Sequence, residues 1–275
     1  MQDLIIGFIG GGNMARSLVG GLLNTGWPHS RICVSEPDEE KRDYFEHQMG
    51  VRAVPQNEAT IEGADVVVLA VKPQVLRDML LSTQPSLQQR RPLMVSIVAG
   101  IRECDIQRWS GGGLSIVRAM PNTPALVGSG ATGLYANKLV DDAQRDVAES
   151  LLRAVGTTVW LDEEVMLDVV TALSGSGPAY FMYFMEALEQ AAIQHGLAAD
   201  TARLLTLETC LGAAKLAINS EEGLFELRRR VTSPGGTTER ALQVMDGAKL
   251  PDILNQAFDA AVKKASELGE ILGRD

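Results

Sequence analysis

The 275-residue chain is poor in the residues that build metal centres, disulfide frameworks and hydrolytic triads. Its three cysteines, Cys33, Cys104 and Cys210, are widely spaced and lack the paired arrangement of zinc sites, so we expect buried, reduced thiols. The three histidines lie far from any candidate nucleophile and show no metal-ligand spacing. We therefore predict no metal site, no zinc chemistry and no hydrolytic triad.

The chain also lacks a surplus of basic residues and a long apolar run. Its formal net charge of −10 would repel a phosphate backbone, so we expect no nucleic-acid partner. The N-terminal apolar run Leu4–Ile9 is only as long as a strand and does not resemble a secretion signal. The longest uncharged stretch, Val169–Met185, is interrupted by a Ser-Gly-Ser-Gly-Pro string, which argues against a membrane span. We expect a soluble, cytoplasmic protein with no membrane partner.

The N-terminal apolar run leads directly into the glycine-rich string Gly10–Ala15. This order predicts a strand, a phosphate-binding turn and a helix. In such a turn the first glycine makes the bend, the second lets backbone N–H groups approach a pyrophosphate, and a small residue such as Ala15 lets helix and strand pack closely. The alternative is a glycine-rich hairpin, which leaves the helical spacing of Met14, Leu18 and Leu22 unexplained.

Strand and helix patterns then alternate, which predicts a doubly wound α/β domain over residues 1–163. Helical patterns cover 74–80 and 141–154. Beyond residue 164 only helical spacing is found, in segments 164–173, 178–195, 199–218 and 236–271, so residues 164–275 are predicted to be all-α. Several of these helices are apolar over more than one stripe, which predicts dimerisation through this half. The further predicted strands are Ile32–Ser35, Asp65–Val71, Leu93–Val98, Leu114–Val117, Gly133–Ala136 and Thr157–Leu161.

Glu36 follows the second predicted strand, about twenty residues after the glycine turn, where a carboxylate usually accepts hydrogen bonds from an adenosine ribose. This position favours NADH. Lys41 and Arg42 follow closely and leave open a cation for the phosphorylated ribose of NADPH. The alternative for Glu36 is a helix N-terminal acid that interacts with the helix dipole.

Three further segments place polar or rigid residues where a ligand of an open α/β sheet binds. Ala70–Pro73 follows the predicted central strand, and Lys72 either faces cofactor phosphate or substrate or is simply solvated. Asn57 is either a helix cap or a cofactor contact. The rigid loop that contains Met120 and Asn122 either lines the nicotinamide site or is a structural turn.

The helical half contains the hydroxyl-rich and glycine-rich string Val231–Thr238 ahead of a helix. Unhindered N–H groups at a helix N-terminus make an anion site suited to a carboxylate. The alternative is a helix stop followed by a threonine N-cap. A hydride transfer fits this inventory, because the cofactor supplies the chemistry and the protein needs no nucleophile.

Five strings together resemble the pyrroline-5-carboxylate reductases: GFIGGGNMA at 7–15, AVKPQ at 70–74, MPNTP at 120–124, SGSGPAY at 174–180 and VTSPGGTT at 231–238. The likeness spans nearly the whole chain. It implies NADPH- or NADH-dependent reduction of Δ1-pyrroline-5-carboxylate to L-proline, the last step of proline biosynthesis. It also implies a Rossmann-like N-terminal domain and an all-α C-terminal dimerisation domain that forms a homodimer, assembled in some members into a decamer of five dimers.

The resemblance assigns the catalytic role to Thr238, whose hydroxyl would hydrogen-bond the ring nitrogen, and carboxylate binding to the backbone of Gly236 and Thr237. Glu36 departs from family members with arginine or a small residue there. The predicted substrate-binding residues are Val231, Ser233, Gly235, Gly236, Thr237 and Thr238. The predicted cofactor-binding residues are Gly10, Gly11, Gly12, Asn13, Met14, Glu36, Asn57, Ala70, Val71, Lys72, Pro73, Met120 and Asn122.

Two other functions remain open at this point. A β-hydroxyacid dehydrogenase would share the opening motif and a helical second domain, although its Ser-Gly-Gly substrate loop and helical catalytic lysine are missing. An NAD(H)-sensing regulator would bind the cofactor without turnover.

Overall fold

The computed structural model describes residues 3–274, and its centre is an eight-stranded sheet. The strand order is β3-β2-β1-β4-β5-β6-β7-β8. Neighbouring strands run parallel, except that β7 is antiparallel to β6. The strands are β1 (Ile6–Ile9), β2 (Ile32–Ser35), β3 (Arg52–Val54), β4 (Val66–Leu69), β5 (Leu93–Ser96), β6 (Ile116–Met120), β7 (Gly130–Ala136) and β8 (Gly156–Trp160).

Helices connect and cover these strands and then make up the rest of the chain. Short π-helical turns extend α2 and α7, at Tyr44–Gln48 and Thr171–Gly175. The α-helices of the described residues are α1 (Asn13–Asn24), α2 (Glu39–Asp43), α3 (Asn57–Ile61), α4 (Pro73–Arg90), α5 (Glu103–Ser110), α6 (Asp142–Arg153), α7 (Met166–Val170), α8 (Gly177–Gln194), α9 (Ala199–Ile218), α10 (Leu224–Arg230), α11 (Thr237–Gly247) and α12 (Leu250–Leu272).

The architecture confirms the predicted class, an α/β sheet domain followed by helices, with no strand among residues 164–274. Each predicted strand is present with small shifts at its ends. The sequence pattern missed β3, α5 and α10, which are three to eight residues long and give little periodicity. Within the predicted segment 236–271, Pro251 indicates a helix end or start, and the structure divides the segment there into α11 and α12. Lys249, with a left-handed φ of 56°, lies between the two helices.

The sheet is buried on both faces because alternate residues of its central strands pack against different helices. In β4, Val66 and Val68 join a cluster that includes residues of α1 and α6. Val67 and Leu69 join a second cluster with residues of α4 and α5. All four side chains are at most 1% exposed, so the continuous apolar run is explained by two covered faces.

Two adjacent glycines of α1 differ in packing, because Gly21 is in close contact with other residues and Gly20 is not. The pair therefore allows a matched test of the packing. A Cβ added to Gly21 would lie 2.6 Å from the Ala154 carbonyl oxygen, whereas one added to Gly20 would meet only Met49 Cε, at 3.5 Å. We expect Gly21→Ala to lower the free energy of unfolding by about 1–3 kcal/mol through overpacking. We expect Gly20→Ala to raise it by about 0.5–1 kcal/mol, because alanine favours the helix. Urea denaturation of both variants measures the difference, and equal effects would contradict this packing.

The chain divides into two compact units, Met1–Ser176 with Ala261–Asp275, and Gly177–Ala260. The first unit contains the sheet and its core. The second unit consists of helices that expose many large apolar side chains, including Tyr183 at 75%, Leu216 at 66% and Ile218 at 82%. Such an exposed apolar surface is typical of a protein interaction site. None of the helices within residues 3–274 combines the length and apolar character that a bilayer crossing requires.

The expectation of buried thiols is correct only for Cys33, which lies in β2. Cys104 is exposed and Cys210 is half-buried, so the expectation is wrong for both. The reason is their location, since Cys104 is the second residue of the short surface helix α5 and Cys210 belongs to α9 in the largely exposed second unit. All three cysteines are free.

Candidate cofactor and substrate sites

The glycine turn is built by backbone contacts between β1, β2 and β4. Gly10 has a φ of 102°, and its N–H donates to the Ser35 carbonyl oxygen at 2.8 Å. A Cβ at Gly10 would lie 2.6 Å from the Ala70 carbonyl oxygen. Because both its conformation and this close approach exclude a side chain, Gly10 is required to make the turn.

The N-terminus of α1 fits the pyrophosphate of a dinucleotide. Gly12 is the N-cap residue and supplies no side chain, and α1 has no acidic residue in its first turn. A Cβ at Gly12 would have no neighbour within 4 Å among the described residues, so the approach to the N–H groups of Asn13 and Met14 is sterically open. An uncapped helix N-terminus next to a glycine turn favours a bound phosphate.

Glu36 lies beside this turn and is 7% exposed. Its Oε2 accepts a hydrogen bond from the Gly11 N–H at 2.8 Å, and its Oε1 accepts one from the Asp38 N–H at 3.2 Å. Glu36 is therefore more than a helix N-terminal acid, because its carboxylate also binds the backbone of the glycine turn. Asp38, rather than Glu36, is the N-cap residue of α2.

The other predicted cofactor residues occupy the ends of neighbouring strands in the first unit. Asn57 is the first residue of α3, and its Oδ1 accepts from the Ser35 hydroxyl at 2.8 Å. Ala70 and Val71 follow β4, and Lys72 is an exposed N-cap residue whose side chain forms no capping bond. Pro73 begins α4, as its fixed φ favours.

Asn122 is buried and both ends of its side-chain amide bind the protein. Its Nδ2 donates to the Ser174 carbonyl oxygen at 3.0 Å, and its Oδ1 accepts from the Ala131 N–H at 2.9 Å. The side chain thus joins the loop after β6 to the π-helical turn at Thr171–Gly175 and to β7. Met120 is the half-buried last residue of β6. Direct cofactor contacts of Asn122 and Met120 stay predictions.

The predicted substrate residues lie in the second unit, on the segment that follows α10 and on the first turn of α11. Gly235 has a φ of 71°, and its N–H donates to Glu239 Oε2 at 2.7 Å. Gly236 is the N-cap residue, and α11 begins at Thr237 without a side-chain capping bond. The alternative of a threonine N-cap is therefore wrong. Like α1, α11 lacks a side-chain cap, but unlike α1 it has an acidic residue, Glu239, in its first turn. Thr238 is exposed in the first turn.

Sequence reasoning missed a buried charge network in the first unit. Arg118 of β6 is 5% exposed, and its Nη1 donates to Glu164 Oε1 at 2.7 Å. The same oxygen accepts from the Glu103 N–H at 2.6 Å. Nearby, Arg102 Nη2 pairs with Asp168 Oδ2 at 2.6 Å. An arginine within the apolar pattern of β6 was the signal that could have revealed the network.

Burial shifts the pKa values of individual groups in and beside this network. The pKa of the Arg118 guanidinium is lowered by desolvation, and Glu164 opposes this shift. Asp105 adjoins the network, since its N–H donates to the Arg102 carbonyl oxygen at 3.1 Å. Burial raises the pKa of the Asp105 carboxyl, and Arg108 opposes that shift. The network also reaches a cavity of about 150 Å³ whose lining includes Arg118, Asp168 and residues of α4 and α12.

No metal site is predicted from the sequence. The described residues bring ligand atoms of Asp43, Glu46 and His47 within 4.8 Å of one another. All three residues are exposed, and an exposed acidic group of this kind is common on protein surfaces.

The sheet order, the glycine turn and the open N-terminus of α1 define a dinucleotide-binding oxidoreductase fold. Residues 5–100 match a family model described as NADP oxidoreductase coenzyme F420-dependent, and residues 164–268 match pyrroline-5-carboxylate reductase dimerisation. A pyrroline-5-carboxylate reductase of Pseudomonas aeruginosa is 46% identical over 98% of both chains, and one of Haemophilus influenzae is 42% identical over the same share. The chain belongs to the pyrroline-5-carboxylate reductase family.

Solved structures agree with this assignment. A pyrroline-5-carboxylate reductase of Coxiella burnetii superposes with a TM-score of 0.93 at 46% identity, covering 96% of this chain and 98% of that one. A Plasmodium falciparum pyrroline carboxylate reductase with NADP bound superposes with a TM-score of 0.87 at 27% identity, covering 98% and 99%. The segment that matches the dimerisation model is helical here, and its presence supports oligomerisation of the chain.

Proposed function

We propose that this chain reduces Δ1-pyrroline-5-carboxylate to L-proline with NADH or NADPH, the last step of proline biosynthesis. The observation that carries the proposal is the 46% identity to a pyrroline-5-carboxylate reductase over 98% of both chains. The glycine turn and the helix N-termini of α1 and α11, neither of which has a side-chain cap, are consistent with one dinucleotide and one carboxylate substrate. We further propose that residues 1–163 bind the cofactor and that residues 164–275 bind substrate and the partner subunit.

In this proposal the cofactor binds at the carboxyl ends of the strands. Gly10, Gly11 and Gly12 form the turn, and the N–H groups of Asn13 and Met14 bind the pyrophosphate. Asn57, Glu36 and the segment Ala70–Pro73 line the site, together with Met120 and Asn122. When bound, NAD(P)H supplies the hydride that reduces the imine carbon.

The substrate is held by the turn ahead of α11. The N–H groups of Gly236 and Thr237 bind its carboxylate, and Val231, Ser233 and Gly235 shape the pocket. The Thr238 hydroxyl hydrogen-bonds the ring nitrogen and holds or protonates the imine. A cyclic imine is more electrophilic when its nitrogen carries a proton, so orientation and proton control are the chemical tasks of the protein.

The assembly proposed is a homodimer, with five dimers forming a decamer. The support is the exposed apolar surface of the second unit together with the matched dimerisation segment. Size-exclusion chromatography with light scattering measures the mass directly. A monomer at micromolar concentration would refute the dimer, and a dimer that does not assemble further would refute only the decamer.

The function is tested by following the absorbance of NADH or NADPH after addition of racemic pyrroline-5-carboxylate. We expect loss of the reduced-nicotinamide band only when protein, cofactor and substrate are all present. A regulator would bind the cofactor without turnover, and a β-hydroxyacid dehydrogenase would instead oxidise a 3-hydroxy acid with NAD⁺. We propose the cytoplasm as the location, supported by three unpaired cysteines, and cell fractionation tests it.

A further inference from the structure

Glu36 is a fixed negative charge at the edge of the cofactor site. Its two carboxylate oxygens accept hydrogen bonds from the N–H groups of Gly11, at 2.8 Å, and Asp38, at 3.2 Å. The residue is 7% exposed, so little water screens its charge. The end of the second strand is where a dinucleotide fold places the adenosine ribose. Any group added to the 2′-hydroxyl of that ribose therefore approaches a held carboxylate.

The two cations that follow Glu36 are already engaged. Lys41 Nζ lies 3.6 Å from Glu36 Oε1 and 3.7 Å from Asp38 Oδ2. Arg42 Nη1 donates to the carbonyl oxygens of Glu36, at 2.8 Å, and Pro37, at 2.7 Å. If either cation turned toward a phosphate, it would leave these acceptors. Neither is preorganised for a phosphorylated ribose.

Arg16 is a further cation near the turn. Its guanidinium lies over the Tyr44 ring, 4.3 Å from the ring centroid, and its buried Nε has no hydrogen-bond partner among the described residues. Arg16 belongs to the first turns of α1, however, and not to the segment that follows β2. A test of cofactor choice must therefore include this residue.

We propose that Glu36 makes this chain select NADH over NADPH, by accepting hydrogen bonds from the ribose hydroxyls and repelling a 2′-phosphate. The proposal deepens the proposed function and rests on it only in that the ligand is a nicotinamide dinucleotide. It sets this chain apart from the Plasmodium falciparum relative, whose structure has NADP bound. The repulsion between two anions in contact, one of them buried, is sufficient for a preference of at least about tenfold.

The test uses the adenine ends of the two cofactors, ADP-ribose and 2′-phospho-ADP-ribose, in calorimetric titrations of the full chain. We expect wild type to bind ADP-ribose at least about tenfold more tightly. Glu36→Gln keeps the size of the side chain but removes its charge. In this variant we expect the dissociation constants of the two ligands to differ by no more than about threefold. In the matched control Glu39→Gln, which removes one charge from exposed α2, the wild-type ratio is retained.

Equal binding of the two ligands by wild type, or an unchanged ratio in Glu36→Gln, would overturn the proposal. If wild type binds both equally and Arg16→Gln weakens only the phosphorylated ligand, the phosphate belongs to Arg16 and the proposal fails. Because neither ligand reacts, these outcomes are independent of whether pyrroline-5-carboxylate is reduced. A chain with no reductase activity but the expected ratios would refute the function and leave the selectivity intact.

Discussion

Replacing Thr238 with alanine is expected to lower kcat by at least about tenfold, by analogy with the loss of one oxyanion-hole donor, which costs about a hundredfold or more. The hydroxyl is proposed to hold the imine nitrogen as the carbon accepts hydride, so its loss weakens an interaction with the transition state. The fold is expected to survive, because Thr238 is exposed and α11 is capped by Gly236 without a side-chain bond. Steady-state kinetics with saturating cofactor and circular dichroism check both expectations.

The conservative variant Thr238→Ser keeps a hydroxyl and should retain most of the turnover. A parallel loss in the serine and alanine variants would assign the effect to packing of the methyl group. Wild-type turnover in Thr238→Ala would remove this residue from the mechanism.

Replacing Glu164 with alanine is expected to lower the free energy of unfolding by about 3–5 kcal/mol. Glu164 accepts hydrogen bonds from Arg118 and from the Glu103 N–H, at 2.7 and 2.6 Å. Without it the guanidinium of Arg118, which is 5% exposed, remains charged and loses its paired carboxylate. Urea denaturation at a fixed protein concentration measures the change, since oligomer stability depends on protomer concentration.

Two controls distinguish the cost of leaving a buried charge unpaired from the smaller cost of breaking an exposed ion pair. The double variant Arg118→Met/Glu164→Leu removes both charges and should recover at least about half of the lost stability. Glu222→Ala breaks the exposed pair with Arg230, whose side chains are 46% and 67% exposed, and should cost less than about 1 kcal/mol. Equal losses in Glu164→Ala and Glu222→Ala would contradict the account of Arg118 as a buried charge.

The sheet could be predicted from the sequence because its strands are short apolar runs that continue on both faces, as in Val66–Leu69. The glycine turn could also be predicted, since Gly10 needs a positive φ and a close approach to Ala70. Local patterns of this kind depend on residues near one another in the chain. The three-residue strand β3 was missed because it is too short to show a period.

Contacts between distant parts of the chain could not be predicted in this way. The bond from the Gly11 N–H to Glu36 joins residues 25 positions apart, and the Arg118–Glu164 pair joins residues 46 apart. Which oxygen accepts which N–H depends on the register of strands and on side-chain rotamers, neither of which leaves a sequence period.

The central claim is that this chain transfers a hydride from a nicotinamide ring to the imine carbon of pyrroline-5-carboxylate. Reduced cofactor carrying deuterium on both faces of nicotinamide C4 tests it most directly, with the product analysed by mass spectrometry. The account predicts proline with one deuterium on the ring carbon next to nitrogen, formed in equal amount to the cofactor oxidised. Cofactor oxidation without labelled proline, or no reaction with either cofactor, would contradict it.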